Sequence, residues 1–296
     1  MKILICDAFD PTLPDLLKKH GEVTSDINEL PNATVALVRS KTKGDRDFID
    51  KGKSLKMIIR GGVGLDNIDV KYAREKNIEV RNTAEASSIA VAELAFAMMI
   101  AVPNRLVEAN TSMQAGKWMK KELKRTELYG KILGIIGCGR IGTELARRAK
   151  AFGMMVVGYD PSVDVSDDIL IKPTLEDMLP ICDYISIHTP LTDRTRGFIN
   201  KETIARMKNG VVIINTGRGK CVIEADVVDA LKSGKIGFYA NDVWYSDPPE
   251  TTPLVGAPNT LLAPHIGAST NENLLRIGKA VDRIITKAAD AGFFGK

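Results

Sequence analysis

The sequence predicts an α/β protein built from two doubly wound parallel sheets. Three observations carry that reading. Short apolar and β-branched runs alternate with amphipathic segments along almost all of the 296 residues, as strand, crossover helix, strand units require. The alternation is interrupted once, by an Ala- and Met-rich stretch from Ser88 to Asn104, which leaves two blocks. The second block opens with a strand, a glycine-rich turn and a helical segment, the order found in mononucleotide-binding units.

In the first block the strand candidates are Ile3 to Cys6, Val35 to Val38 and Met57 to Arg60, with amphipathic segments at Leu13 to His20 and Asp47 to Lys51 between them. His20 ends the first of these segments and reads as a surface residue. Gly61, Gly62 and Gly64 follow the third strand and suit a turn with bare amides that can hold an anion. Ser88 to Asn104 reads as a buried helix crossing between domains. The polar segment after it, with Lys117, Lys120, Lys121, Lys124 and Arg125, reads as a solvated helix.

The second block begins after Tyr129 with the strand Ile132 to Ile136 and continues with Met155 to Tyr159, Tyr184 to Ile187, Val211 to Asn215, Gly237 to Asn241 and Leu261 to Ala263. GCGRIG, with Gly137, Gly139 and Gly142, sits between the first of these strands and the helical segment Ile141 to Ala151. The first glycine permits the tight turn, the second lets a pyrophosphate reach the backbone, and the third lets helix pack on strand. Asp160 ends the next strand 18 residues beyond Gly142, near the offset at which an acid accepts hydrogen bonds from the adenosine ribose. A carboxylate there repels a 2′-phosphate, and Pro161 and Ser162 supply no base to offset it, so NAD is expected over NADP.

Composition narrows the function classes. Lys and Arg total 41 against 37 Asp and Glu, a net charge of +4 without a long block of one sign, so neither a nucleic-acid tail nor a polybasic membrane anchor is expected. With 44% apolar and 26% charged residues the chain is not a disordered one. The longest apolar run, Leu94 to Val102, has nine residues, where a membrane span needs ~20. The start of the chain lacks the pattern of a secretory signal. The four cysteines, Cys6, Cys138, Cys182 and Cys221, fall at neither disulfide-framework nor metal-ligand spacings, so no metal and a reducing, cytoplasmic setting are expected.

Hydride exchange between a hydroxy acid and a nicotinamide needs a group to move the hydroxyl proton, a cation for the carboxylate and a carboxylate to orient the first group. Histidine suits the proton role. Of three histidines, His188 ends an apolar strand and reads as a hydrogen-bonded structural imidazole. His265, in APHIGAST, lies between a strand end and a small-residue turn, where open α/β sheets bind ligands. Arg218 in NTGRG follows another strand and can hold a carboxylate with two parallel bonds. Asp242, near the end of another strand, and Asp247 both lie in the aromatic and Pro-rich loop NDVWYSDPPE.

GCGRIG with Asp160, HTPLT, NTGRG, the DVW loop and PHIGAST, in that order, resemble the D-isomer-specific 2-hydroxyacid dehydrogenase family over nearly the whole chain. VRSKTK, RGGVGLDNID and TELYGKILGIIG look closest to its phosphoglycerate dehydrogenase branch. The resemblance implies a Rossmann NAD-binding domain, residues 98–270, inserted into a flavodoxin-like substrate domain, residues 1–97 and 271–296. By position it implies Arg218 as the catalytic arginine, His265 as acid/base and Asp247 as its partner, where the family usually has glutamate. Cofactor contacts are implied for Gly137, Gly139, Arg140, Ile141, Gly142, Asp160, Thr189, Thr216, Gly217, Arg218, Asp242 near the carboxamide, His265, Gly267 and Ala268. Substrate contacts are implied for Gly62, Val63, Gly64 and Arg218. Independently of the resemblance, the first block offers Arg39 and Lys43 in VRSKTK and Arg60 before the glycine turn for a substrate phosphate, and Arg39 and Arg60 each follow a strand candidate.

Two departures bear on these roles. Asp247 is one methylene shorter than glutamate, which leaves Glu250 as a possible substitute, and Gly217 stands where alanine or serine is usual. The leading expectation is NAD-dependent oxidation of D-3-phosphoglycerate to 3-phosphohydroxypyruvate, hence serine biosynthesis, by a homodimer. The alternatives are a glycerate, hydroxypyruvate or glyoxylate reductase and a non-catalytic NAD-sensing protein. The 31 residues after His265 suffice for a closing helix but not for an appended regulatory domain.

Overall fold

Residues 1–295 are described in a computed structural model. Among them, β1 (Lys2–Ile5), β2 (Glu22–Thr24), β3 (Val35–Val38), β4 (Met57–Arg60) and β5 (Glu79–Asn82) form one parallel sheet in the order β2-β1-β3-β4-β5. This is the flavodoxin-like order. A second, seven-stranded parallel sheet contains β6 (Ile132–Ile136), β7 (Met155–Tyr159), β8 (Leu170–Ile171), β9 (Tyr184–Ile187), β10 (Val211–Asn215), β11 (Ile236–Asn241) and β12 (Thr260–Leu262), in the order β12-β11-β10-β9-β6-β7-β8. That is the Rossmann order with one strand added at the far edge. The expected fold class is what the molecule has.

The central strands form where the sequence is apolar on both faces. In β10, Val212 and Ile214 join the core on one side of the sheet and Val211 and Ile213 the core on the other. In β3, Val35 and Leu37 alternate with Ala36 and Val38 in the same way. Period-two side chains that are apolar throughout can be satisfied only when helices cover both faces, which selects parallel strands with crossovers.

By internal contacts the chain divides into Met1–Ser88 with the segment from Ala268 onward, and Ile89–Gly267. The changeovers thus fall at 88/89 and 267/268, rather than 97/98 and 270/271. The reason is local. In the helix Ser88–Ala101, Ala92, Ala95, Met98 and Met99 pack with Leu133, Ile135 and Val156 of the second unit. The last helix, Asn271–Asp290, places Ile277, Val281 and Ile285 among Ile3, Leu37 and Ile59 of the first.

Two further expectations are corrected. The helix after Ala101 is Leu106–Gln114, ahead of the basic run, and Lys117 to Arg125 lie in turns and irregular chain. Gly116, at φ +69°, ends that helix: its N–H bonds the Met113 carbonyl at 3.0 Å and the Lys117 N–H bonds that of Ser112 at 2.8 Å. This is a Schellman closure, which stops a helix whatever charge follows it. His20 is not a free surface residue. Its Nε2 lies 2.7 Å from Asp282 Oδ1, and the side chain is largely covered.

Candidate active site

The strand order reverses between β6 and β9, and the glycine loop lies at that switch point. Gly137 has φ +95°, and a Cβ there would lie 2.9 Å from the backbone of His188, just past β9. A Cβ on Gly142 would fall 2.5 Å from the Gly137 carbonyl oxygen and 2.9 Å from Ile135, so this glycine seats the helix on its strand. Gly139 differs: a Cβ on it would meet nothing within 4 Å. It is the N-cap of the helix Arg140–Ala151 and provides no side-chain cap. Bare amides facing open space at a helix start suit a pyrophosphate. Asp160 stands beside the loop, its Oδ2 accepting the Cys138 N–H at 2.9 Å and its Oδ1 the Ser162 N–H at 2.9 Å. The residues present therefore fit a dinucleotide.

His188 is sealed between neutral hydroxyls. Its Nε2 is 2.9 Å from Ser186 Oγ and its Nδ1 3.1 Å from Thr216 Oγ1. Burial pushes its pKa down to about 3. The ring is neutral and structural, and it fixes the Thr216 side chain. Thr189, next along the chain, is also buried.

His265 is the exposed counterpart. Its Nδ1 is hydrogen-bonded directly to Asp247 Oδ2, so it is the shorter carboxylate, not Glu250, that reaches the ring. The residue has φ +55°, a conformation that costs energy for a side chain with a Cβ. Buried Asp242 holds that turn: its two oxygens accept the N–H groups of Ile266 and Gly267, each at 2.8 Å. Burial raises the Asp242 pKa, while those two amides and the nearby His265 oppose the rise. The loop bearing Asp247 is itself tied down. Trp244 Nε1 donates to the Ala263 carbonyl at 3.0 Å, Tyr245 Oη to that of Val222 at 2.7 Å, and Thr252 Oγ1 to Glu224 at 2.7 Å.

Arg218 leaves the end of β10 in NTGRG, and its Nη1 donates to the Gly217 carbonyl at 2.7 Å. Glycine ordinarily loosens a backbone, but Gly217 does not loosen this segment. A Cβ there would sit 3.1 Å from the carbonyl oxygens of Ile187 and Thr189, so the missing methyl permits close backbone packing. Gly219 is tighter still, with the Trp244 carbonyl carbon 2.4 Å from where its Cβ would be. The Arg218 and Asp247 loops are thus in backbone contact.

In the first unit, Arg39 and Arg60 lie at the ends of neighbouring strands, with Arg60 paired to Val38 in the register. Arg39 Nη1 donates to the Ala8 carbonyl at 3.1 Å. Asp7 and Asn67 shape the Arg39 loop: Asp7 accepts the Arg39 N–H and, at 2.7 Å, the Thr42 hydroxyl, while Asn67 Nδ2 donates to the Arg39 and Thr42 carbonyls, each at 2.7 Å. The Arg60 guanidinium lies over Gly62, where a Cβ would overlap it. The Gly62 N–H donates to Thr83 Oγ1 at 2.9 Å, and Asn82 Nδ2 donates to the Val63 carbonyl at 2.6 Å. Gly64 follows directly after this bend. Ala268 opens the returning segment, its carbonyl accepting from Asn273 Nδ2 at 2.7 Å.

Comparison with known proteins agrees with this geometry. Residues 96–267 match the family described as D-isomer specific 2-hydroxyacid dehydrogenase, NAD binding domain. A hydroxypyruvate reductase of Thermotoga maritima is 43% identical, the match covering 94% of each chain. A D-3-phosphoglycerate dehydrogenase of Methanocaldococcus jannaschii is 42% identical over 97% of this chain, which spans only 57% of that relative's length. The crystal structure of a D-lactate dehydrogenase from Aquifex aeolicus, complexed with NAD and lactic acid, superposes with a TM-score of 0.85 at 29% identity, covering 98% of this chain and 96% of that one. Sequence, topology and the glycine loop converge: the chain belongs to the NAD-dependent D-isomer specific 2-hydroxyacid dehydrogenase family.

Proposed function

We propose that the protein interconverts D-3-phosphoglycerate and 3-phosphohydroxypyruvate. The observation that carries the chemistry is the His265–Asp247 pair on a turn fixed by Asp242. When bound, NAD supplies the hydride acceptor, and the glycine loop with Asp160 would hold it. His265 takes the substrate hydroxyl proton on Nε2, the nitrogen opposite the one bonded to Asp247. The hydrogen on C2 leaves with its electron pair, the C2–O bond becomes a carbonyl, and the resulting imidazolium rests against the Asp247 carboxylate. Arg218 pairs with the substrate carboxylate and stabilises negative charge on the reacting oxygen.

Two arginines at adjacent strand ends support a phosphorylated substrate. A second reading, reduction of hydroxypyruvate to D-glycerate, is favoured by a match spanning 94% of a hydroxypyruvate reductase. The experiment that separates them is kinetics with both acids on the unaltered protein and on Arg60→Ala. If Arg60 binds phosphate, its loss raises KM for phosphoglycerate by ~10-fold or more, the worth of a charge-assisted hydrogen bond, and leaves glycerate unchanged. Better turnover of glycerate by the unaltered protein, or an equal effect of Arg60→Ala on both acids, transfers the assignment to the second reading. A homodimer is part of the proposal. Exposed Leu106, Val107 and Met113 on the helix Leu106–Gln114 support it, and sedimentation equilibrium tests it.

A further inference from the structure

The loops carrying Arg218 and Asp247 leave adjacent strands, β10 and β11, whose last residues Asn215 and Asn241 are paired in register. Beneath these loops lies a chain of three polar side chains closed to solvent: Asn215, Tyr239 and Asn241 are 0%, 1% and 1% exposed. Asn215 accepts the Gly217 N–H on Oδ1 at 3.1 Å. Its Nδ2 donates to the Arg218 carbonyl at 3.2 Å and to the Tyr239 hydroxyl at 3.4 Å. The Tyr239 hydroxyl donates to Asn241 Oδ1 at 3.1 Å, and Asn241 Nδ2 donates to the Val243 carbonyl at 2.7 Å.

The direction of every bond is determined. A carboxamide nitrogen only donates and its oxygen only accepts, so the phenol must receive from Asn215 and give its one proton to Asn241. The chain begins on the backbone either side of the Gly217–Arg218 peptide and ends on the residue before Trp244. Tyr239 otherwise belongs to an apolar cluster with Ile213, Val227 and Leu254. Three polar tips in such a place carry a desolvation cost that aliphatic side chains would avoid, so the sheet itself gains nothing from them. What they join is two loops.

We propose that Asn215, Tyr239 and Asn241 form a positioning network that fixes the Arg218 loop against the loop bearing Asp247, and so sets the cation and the acid/base pair in common register. The proposal rests on the reading of Arg218, His265 and Asp247 as the reacting groups. None of the three network residues touches substrate; they act through the backbone they hold. Tyr239→Phe deletes one oxygen and keeps the ring, leaving the Asn241 acceptor stranded.

The test uses the whole protein with NAD and whichever of D-3-phosphoglycerate and D-glycerate it oxidises faster. Tyr239→Phe is expected to lower kcat about 10-fold, with substrate KM and the NAD Kd from fluorescence titration within about twofold. The primary isotope effect with C2-deuterated substrate should rise as hydride transfer becomes more fully rate-limiting. Asn241→Leu alone is expected to reproduce the loss. In the double variant Tyr239→Phe/Asn241→Leu the stranded carboxamide is gone, so Tm should recover towards the parent while kcat does not. Unchanged kcat and isotope effect in Tyr239→Phe, or recovery of kcat together with Tm in the double variant, overturns the network's role and leaves the catalytic reading intact. Near-normal kcat in His265→Ala overturns both.

Discussion

His188 and His265 each follow a parallel strand of the same sheet, one just past β9 and the other a short loop beyond β12, yet they are built for opposite ends. His188 has hydroxyls on both nitrogens and burial that keeps it neutral. His265 has a carboxylate on one nitrogen, an open face, and a left-handed backbone held by two amides on a buried aspartate. Position at a strand end is shared. The partners differ: His265 gives one nitrogen to a carboxylate, whereas both nitrogens of His188 are occupied by hydroxyls inside the protein.

The largest expected effect tests the open histidine. His265→Ala should lower kcat by ~10² to 10⁴, and retention of near-normal turnover would remove it from the chemistry. Asp247→Asn keeps the shape and loses the charge, so a smaller fall in kcat, of ~10- to 100-fold, is expected. Glu250→Ala should change kcat less than about twofold; a larger effect there than at Asp247 would move the carboxylate role to Glu250.

Asp160 extends the contrast to a strand-end carboxylate tied to two amides beside the glycine loop. Efficiency with NAD should exceed that with NADP by ~10-fold or more, and Asp160→Ser should narrow the gap. Equal kcat/KM for the two cofactors in the unaltered protein would mean that this carboxylate does not face the ribose.

Only a small catalytic effect is expected at the sealed histidine, where stability is the better readout. In the unfolded chain His188 titrates near ~6.5, and in the folded protein near about 3. Above the first value both states are neutral and the group contributes no pH dependence. As pH falls below it, the unfolded chain takes up a proton that the folded protein refuses, and stability is lost at ~1.4 kcal/mol per pH unit down to the folded value. His188→Asn should therefore flatten the loss of Tm between about pH 6 and pH 4, with kcat within a few-fold of the parent. An unchanged slope would show that His188 is not the group resisting protonation.

Much of the frame was legible because central parallel strands must be apolar on both faces. Val35–Val38, Met57–Arg60 and Val211–Asn215 stand out as unbroken runs. The strands missed, β2, β5 and β8, read EVT, EVRN and LI and lie at sheet edges, where a half-exposed face tolerates polar residues. The basic run 117–125 reads as a solvated helix on charge alone, but Gly116 stops the helix before it. The Asn215–Tyr239–Asn241 chain has only a faint mark in the sequence: Tyr239 and Asn241 are two apart on a strand, hence on one face, and two buried polar tips there require partners. Asp247 as the partner of His265 could not be read from spacing, since reach depends on the path of the loop between them.

Gly219 has a consequence for how this protein can be redesigned. With the Trp244 backbone 2.4 Å from where its Cβ would stand, position 219 is a spacer of zero thickness between two loops. Solvent-exposed positions such as Ser40 and Lys41 can each be varied alone. Position 219 admits no single-step neighbour: even alanine must be accompanied by a rerouted 244 backbone, so the two loops can exchange sequences between relatives only as one cassette.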